Sequence, residues 1–299
     1  MLAISTAWNA GRHAGWEPAA GELVGLGFRH VALDGPAIQS DAEAAGRLVR
    51  AARGAVVALF APAPARDAVT DARGAASLVE VRPERREPAV AAALSAGRAA
   101  AAAGTGLVVV RAGAIPVLDA SREDRWTERF GREGLTDALR DEVAAACAEM
   151  RRDRPRFLEA LCRSLWDLSR ALPDTTWLVE TPASVAGLPF PDEVEPLHSE
   201  LKGRRVGIWH DTAHAARLGA LGAAPASAWI ERAAGATRGV TLSDWSPHGG
   251  RTPPGAGHVD WTTLRGQLTG AMVRVLRVAP EFPAAFLAEA ARDAERRTS

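Results

Sequence analysis

The feature that most constrains this chain is a regular alternation of short apolar runs with longer helical segments along its 299 residues. Helical segments follow the runs, several of them with an apolar stripe at helical spacing. Such an alternation predicts one α/β domain over residues 1–299, a parallel sheet closed as a (β/α)8 TIM barrel. The eight predicted strands are residues 2–7, 30–33, 55–60, 107–111, 177–180, 206–209, 239–242 and 272–278.

An open doubly wound sheet is the alternative that the alternation leaves open. The phosphate-binding glycine patterns of that class, G-x-G-x-x-G after the first strand and G-x-x-x-x-G-K-[ST], do not occur in the sequence. The connection after strand four, residues 112–133, is longer than a compact domain usually needs and is rich in Arg, Glu and Asp. We predict a long loop there, either solvated or able to close over an acidic substrate.

Composition and charge narrow the classes of function. Lys+Arg and Asp+Glu number 36 each, so the chain lacks the net basic charge that is usual in nucleic-acid binders. Cys147 and Cys162 lie in helical segments and predict no disulfide. No apolar run of about 18 residues predicts a membrane span, and the first residues do not resemble a signal peptide. We therefore expect a cytoplasmic protein that binds neither nucleic acid nor membrane; oligomerisation stays open.

The stretch RVGIWHDTAHA, residues 205–215, predicts the location of a functional site. Its apolar strand leads into Asp211, and His214 follows three residues later. Ligands of parallel α/β sheets bind beyond the carboxyl ends of the strands, so both side chains are candidates. A structural alternative is that Asp211 caps the next helix. Glu180 and Arg111 end two other strands, and a buried arginine there needs an acidic partner.

Several segments, in this order, resemble the xylose-isomerase-like TIM barrels of the sugar phosphate isomerase and epimerase superfamily. The matching segments are GFRHVALDG for strand two, TWLVETPAS for strand five, VGIWHDTAHA for strand six, GVTLSDW and GAGHVDW for strand seven and its turn, and VLRVAPEF for the last strand. The resemblance covers nearly the full length. It implies an isomerase, epimerase or related lyase of sugar metabolism that acts on a small sugar-like or hydroxy-carbonyl substrate.

The same resemblance implies an altered metal site. Where the family has Glu, Asp, His and Glu on strands five to eight, this chain has Glu180, Asp211, Thr241 and Arg277. Glu180 and Asp211 alone would hold Mn, Mg or Zn weakly. No tightly bound cofactor is therefore expected, although a weak divalent metal is allowed. We expect Arg277 to take over the metal's role within salt-bridge reach of Glu180 or Asp211.

Isomerase chemistry needs a base for a proton next to a carbonyl and an electropositive group for the enediolate. The sequence predicts Glu180 as the base, with Asp211 and His214 as the next candidates. Arg111 or Arg277 would hold the developing oxyanion. The family's remaining site positions, after strands two, three and four, correspond to Ala32, Phe60 and Arg111.

Three further residues are candidates for substrate binding. Trp8 and Trp245, at strand ends, could stack on a sugar, although most tryptophans are core residues. His248 lies on the connection after strand seven, where a solvated side chain is the alternative. Two other functions compete with the enzyme: a non-catalytic small-molecule-binding pseudoenzyme, and a metal-dependent DNA-repair nuclease. The nuclease needs a multi-metal set of ligands, and histidines expected for it are replaced here.

Overall fold

The computed structural model describes residues 1–34, 41–61, 77–116, 120–233 and 235–299. The described strands are β1 (Leu2–Ser5), β2 (His30–Leu33), β3 (Ala55–Phe60), β4 (Leu107–Val110), β5 (Thr176–Glu180), β6 (Val206–Asp211), β7 (Thr237–Leu242), β8 (Asp244–Ser246), β9 (Gly250–Thr252) and β10 (Val273–Leu276). Eight of them close a parallel barrel in the order β1-β10-β7-β6-β5-β4-β3-β2, and β8 and β9 form an antiparallel hairpin. The predicted single-domain TIM barrel is confirmed.

Helices surround the barrel, and local sequence signals set several of their ends. Thr136 caps one helix by accepting a hydrogen bond from the Leu139 amide at 3.2 Å, and Gly104 ends another with a left-handed φ of 87°. None of the described helices is long and apolar enough to cross a membrane. The helices are α1 (Trp16–Gly25), α2 (Ala42–Ala51), α3 (Pro83–Ala103), α4 (Ala120–Glu133), α5 (Asp137–Arg151), α6 (Arg154–Ala171), α7 (Val194–Glu200), α8 (Thr212–Ala220), α9 (Ala228–Arg232), α10 (Trp261–Gln267) and α11 (Ala284–Thr298).

The connection 112–133, predicted as a loop, is mostly helix, because residues 120–133 form α4. Buried Trp126 and partly buried Phe130 are four residues apart, which places them on one face of the helix. The many charged residues around them make this helical spacing hard to recognise in the sequence. Phe130 packs against the β8–β9 hairpin, with its ring 5.9 Å from that of Trp245. The segment therefore lies beside the hairpin that follows the carboxyl end of β7.

Two arginines of α4, in the segment predicted to supply forks for an acidic substrate, contact acidic residues of α5. Arg129 contacts Glu142 of α5 at 2.5 Å, and Arg122 lies 3.9 Å from Glu149 of the same helix. These two side chains therefore point toward a neighbouring helix instead of the barrel mouth. Whether α4 opens and closes over the barrel stays a prediction.

The barrel interior is filled by small side chains around one large indole, Trp209, which is fully buried. Its Nε1–H donates to Thr241 Oγ1 at 2.8 Å, and its ring meets Phe60 edge-on at 5.3 Å. Thr241 thus accepts a hydrogen bond from the indole in the barrel interior. It stands where the resembling family has a histidine ligand, and here its side chain takes part in packing. Gly239 makes room for the indole, since an added Cβ would lie 2.1 Å from Trp209 Cζ3.

Substitution of Gly239 by alanine should therefore lower the free energy of unfolding by about 1–3 kcal/mol, because the indole has no space to shift in a close-packed barrel. Urea denaturation would measure the change. Gly266→Ala in α10 is the matched control, since nothing lies within 4 Å of its added Cβ, and helix propensity should make it neutral or slightly stabilising. Equal stability of the two variants would contradict this account of the barrel interior.

Candidate functional site

The two-residue period of the strands brings charged side chains to the carboxyl end of the barrel. Ala32, Val109, Leu178, Trp209 and Val275 belong to the interior cluster. The next inward positions on the same strands, two residues later, are Asp34, Arg111, Glu180, Asp211 and Arg277. A sixth charged group, Arg251, reaches the same place from β9 of the hairpin.

These six groups form three guanidinium–carboxylate pairs. Arg111 Nε lies 2.8 Å from Glu180 Oε2, and Arg251 Nη2 lies 2.8 Å from Asp211 Oδ2. The third pair joins Arg277 Nη2 to Asp34 Oδ2 at 3.1 Å. Buried carboxylates are costly without such partners, so three acids and three arginines leave the group without net charge.

Glu180 has one bonded and one free carboxylate oxygen. Oε2 accepts from Arg111, whereas Oε1 is buried without a hydrogen-bond partner among the described residues. Glu180 is the main reason that the pKa of Arg111 lies above its usual value, with Asp34 and Asp211 adding to the effect against the cost of burial. Arg111 therefore stays charged beside Glu180, whose Oε1 accepts no hydrogen bond from the described residues.

Asp211 combines a structural and an electrostatic role. Its Oδ1 accepts the His214 amide at 3.0 Å and so caps α8, which was the structural alternative. Its Oδ2 faces Arg251. Although burial opposes ionisation, Arg251 and His214 hold the pKa of Asp211 well below its usual range, and Arg277 contributes.

His214 is held as a neutral imidazole by contacts on both nitrogens. Nδ1 lies 2.9 Å from the carbonyl of Thr181, which can only accept, so Nδ1 carries the proton. Nε2 lies 3.1 Å from Arg251 Nη2 and accepts from it. Burial lowers the pKa of His214, which agrees with the neutral form.

Glu180, Asp211 and His214 bring one potential ligand atom each within 4.8 Å of one another, as a divalent metal site requires. The surrounding charges do not fit that ion. Arg251 donates to both Asp211 Oδ2 and His214 Nε2, and its Nη1 bonds Ser243 Oγ. A divalent metal would have to displace the Arg251 guanidinium while Arg111 still faced Glu180. We therefore derive no chemical step through a metal in this arrangement.

Two expectations about the site are corrected. Arg277 pairs with Asp34 and not with Glu180 or Asp211, whose partners are Arg111 and Arg251. The strand-two position is Asp34 and not Ala32, because Ala32 is an interior residue one inward step earlier. Glu180, Asp211 and His214 do converge as predicted.

Two of the three predicted substrate-binding residues outside the charged group lie in protein contacts. Trp8 is buried, its Nε1–H donates to the Phe282 carbonyl at 2.8 Å, and the Arg12 guanidinium lies 4.1 Å above its ring. Trp245 packs between Phe130 and His258. The geometry favours the packing alternative for both indoles. His248 is exposed at the turn of the hairpin, and a role for it in substrate binding stays a prediction.

Sequence reasoning missed Asp34 and Arg251, for different reasons. Asp34 follows Ala32 by one inward step and could have been found by extending the strand period. Arg251 follows the glycine pair 249–250 in a short hairpin within the connection after β7, where no periodic pattern predicts its direction.

The hairpin that carries Arg251 is fastened by Asp244. This buried carboxylate accepts four N–H groups at 2.8–3.0 Å, from the amides of Trp245, Gly255 and Val259 and from the indole of Trp261. Gly257 permits the close approach, since an added Cβ would lie 2.2 Å from the Trp245 carbonyl oxygen. The segment GAGHVDW, which the sequence analysis identified as the turn after strand seven, is therefore tied to the hairpin by Asp244 and helps to hold Arg251 in position.

No protein-family model and no curated protein matches this chain. Solved structures do. A 3-keto-D-glucoside 4-epimerase, YcjR from E. coli, superposes with a TM-score of 0.67 at 15% identity, over 99% of this chain and 98% of that one. The chain has the fold of the xylose-isomerase-like barrels. A D-tagatose 3-epimerase-like protein (TM-score 0.66, 14% identity, 100% and 99% covered) and a family 2 AP endonuclease from Brucella melitensis (0.66, 16%, 96% of each) share this fold.

Beside the site, His210 is buried on the outer side of β6, where it lines a cavity of about 280 Å³ between α8 and α10. Burial lowers its pKa to about 4, against the opposite effect of Asp211 and with a small further lowering from His214. The unfolded chain, with a histidine pKa near 6.5, therefore takes up this proton first as the pH falls.

The free energy of unfolding should accordingly decrease from about pH 6.5 to pH 4, by on the order of 3 kcal/mol if the residue titrates fully. Denaturant unfolding of the wild type and of His210→Asn across this range would measure the contribution as a difference in slope. The variant should show the shallower dependence. Parallel curves would contradict the burial of a neutral imidazole at this position.

Proposed function

We propose that this chain is an isomerase- or epimerase-like enzyme, or a related lyase, that acts on a small sugar-like or hydroxy-carbonyl substrate. The observation that carries the proposal is Glu180, a buried strand-end carboxylate with one free oxygen among three arginines. The fold shared with sugar epimerases supports the class of reaction. The reaction is proton transfer next to a carbonyl, with guanidinium groups in place of the family's metal.

In this proposal Glu180 Oε1 takes the proton from the carbon next to the substrate carbonyl. Arg111 donates to the other carboxylate oxygen and so orients Glu180 for the transfer. Negative charge then develops on the carbonyl oxygen as the enediolate forms. Guanidinium N–H groups of Arg111 and Arg277 can stabilise that oxygen, since neither side chain uses all of its donors on its acidic partner.

A non-catalytic small-molecule-binding protein on the same barrel is the alternative function. The observation that favours it is the engagement of Asp211 and His214 by Arg251. Of the three potential metal ligands Glu180, Asp211 and His214, only Glu180 has a ligand atom that is unbonded among the described residues. The similarity to an AP endonuclease extends to the fold, and the neutral charge of this chain gives no support for binding DNA. A cytoplasmic location remains an expectation.

The enzyme proposal can be tested without knowing the product. Proton abstraction next to a carbonyl should introduce solvent deuterium into the substrate when the protein is incubated in D2O with a panel of ketoses and keto acids. Mass spectrometry measures the incorporation. Glu180→Gln should reduce the rate by about 10²- to 10⁴-fold, whereas Glu195→Gln, on the exposed face of α7, should not. Binding of a ligand without any exchange would favour the non-catalytic alternative.

The replacement of the metal by arginine has a separate test. Arg251→Ala releases Asp211 Oδ2 and His214 Nε2, so it should create a site that binds one Mn²⁺ or Zn²⁺ per chain at least about tenfold more tightly than the wild type. Calorimetry and the metal-dependent rise in Tm would measure it. Arg238→Ala, an exposed residue at the opposite end of β7, is the control for loss of one charge. Tight stoichiometric binding by the wild type would contradict the proposal.

A further inference from the structure

The exposure of the three ion pairs is uneven. The side chains of Asp211, Glu180 and Asp34 are 0%, 1% and 7% exposed. Those of their partners Arg251, Arg277 and Arg111 are 18%, 17% and 32% exposed. The acids are therefore covered and the guanidiniums reach the solvent, so a ligand at the barrel mouth meets positive groups although the formal charges balance.

Two of these arginines keep unused donors. Arg111 bonds Glu180 through Nε alone, and its two terminal nitrogens have no partner in the described parts of the chain. Arg277 approaches Asp34 through Nη2, and its Nε and Nη1 likewise have no hydrogen-bond partner among the described residues. In contrast, both terminal nitrogens of Arg251 are hydrogen-bonded. Nη1 donates to Ser243, and Nη2 donates to Asp211 and His214.

Arg111 and Arg277 flank the same section of the barrel. They extend from β4 and β10, and β1, β2 and β3 lie between them in the barrel order. Asp34, at the end of β2, pairs with Arg277 and also acts on the charge of Arg111. The Phe60 ring at the end of β3 lies 5.9 Å from the Arg277 guanidinium carbon. Asp34 and Phe60 therefore lie between the two arginines at the carboxyl end of the barrel.

We propose that Arg111 and Arg277, whose remaining donors outnumber those that one carbonyl oxygen needs, also bind an anionic group of the substrate, a carboxylate or a phosphate, next to Phe60. Planar guanidiniums offer paired N–H donors that match the oxygens of either group. The inference rests on the proposed function for the position of the reacting carbon, which Glu180 Oε1 would reach. It narrows the substrate class to an acidic sugar, that is, a sugar acid or a sugar phosphate.

Calorimetry with four probes tests this site without turnover: D-glucuronate and D-fructose 6-phosphate as anions, and D-glucose and D-fructose as their neutral counterparts. At least one anionic probe should bind about tenfold or more tightly than its neutral counterpart, because each hydrogen bond gains a charged partner. The pair that shows the larger ratio identifies carboxylate or phosphate. Equal affinities within both pairs would overturn the proposal.

Three variants test whether the preference for anionic over neutral probes comes from Arg277 and its ion pair. The double substitution Asp34→Asn with Arg277→Met removes a whole ion pair, so no buried charge is left alone, and it should abolish the preference for the anion. Arg277→Lys keeps the charge but loses the planar fork, so it should reduce the ratio while preserving the fold. Arg238→Met, on the opposite end of the barrel, should keep the wild-type ratio. A preference that survives the double substitution would overturn the assignment.

Failure of this proposal is distinct from failure of the proposed reaction. Anion binding without deuterium exchange would count against the enzyme alone. Exchange into neutral sugars, with no preference for anions, would count against the anion site alone.

Discussion

The site depends on charge pairing at the carboxyl end of the barrel. Three carboxylates that the strand period directs inward, Asp34, Glu180 and Asp211, lie where an unpaired charge would be very costly. Each has a guanidinium partner within about 3 Å, and losing one partner of a buried pair typically costs roughly 3–5 kcal/mol. Balance could also come from a bound dication. In this chain arginine side chains supply it, so the positive charge is built into the fold and cannot dissociate.

This chain differs from the family pattern in the packing of the barrel interior as well as in its metal-ligand positions. Trp209 occupies the barrel core and donates to Thr241, which stands where the resemblance places a histidine ligand. Gly239 on the same strand is small because the indole lies against it. The change from histidine to threonine therefore belongs to the packing of the core. Arg251 approaches from the hairpin into the space near β6 and β7, where Ser243 also accepts one of its N–H groups.

The fold and part of the site could be predicted from the sequence because both follow from periodicity. Alternating strands and helices predict the barrel, and strand-end positions predict Glu180, Asp211 and Arg111. Side-chain partners depend on strand neighbours, which a linear sequence does not define: Arg277 pairs with Asp34 because β1 alone separates β10 from β2. The helix α4 was missed since its charged composition resembles that of a loop, and Trp126 and Phe130 are the large apolar side chains among its covered residues.

The direction of the pairs gives the site its chemical character. Carboxylates below and guanidiniums above form a layer of dipoles whose positive ends face the ligand. Such a layer favours negative charge at the mouth without giving the protein a net charge, and the acids beneath keep the arginines fixed and paired in the absence of substrate. In the proposed reaction, an enediolate oxygen would therefore form next to donors that need little rearrangement. Glu180 is paired through Oε2 alone, and its Oε1 meets no hydrogen-bond donor in the described part of the chain, which is the condition that the proposed general base requires.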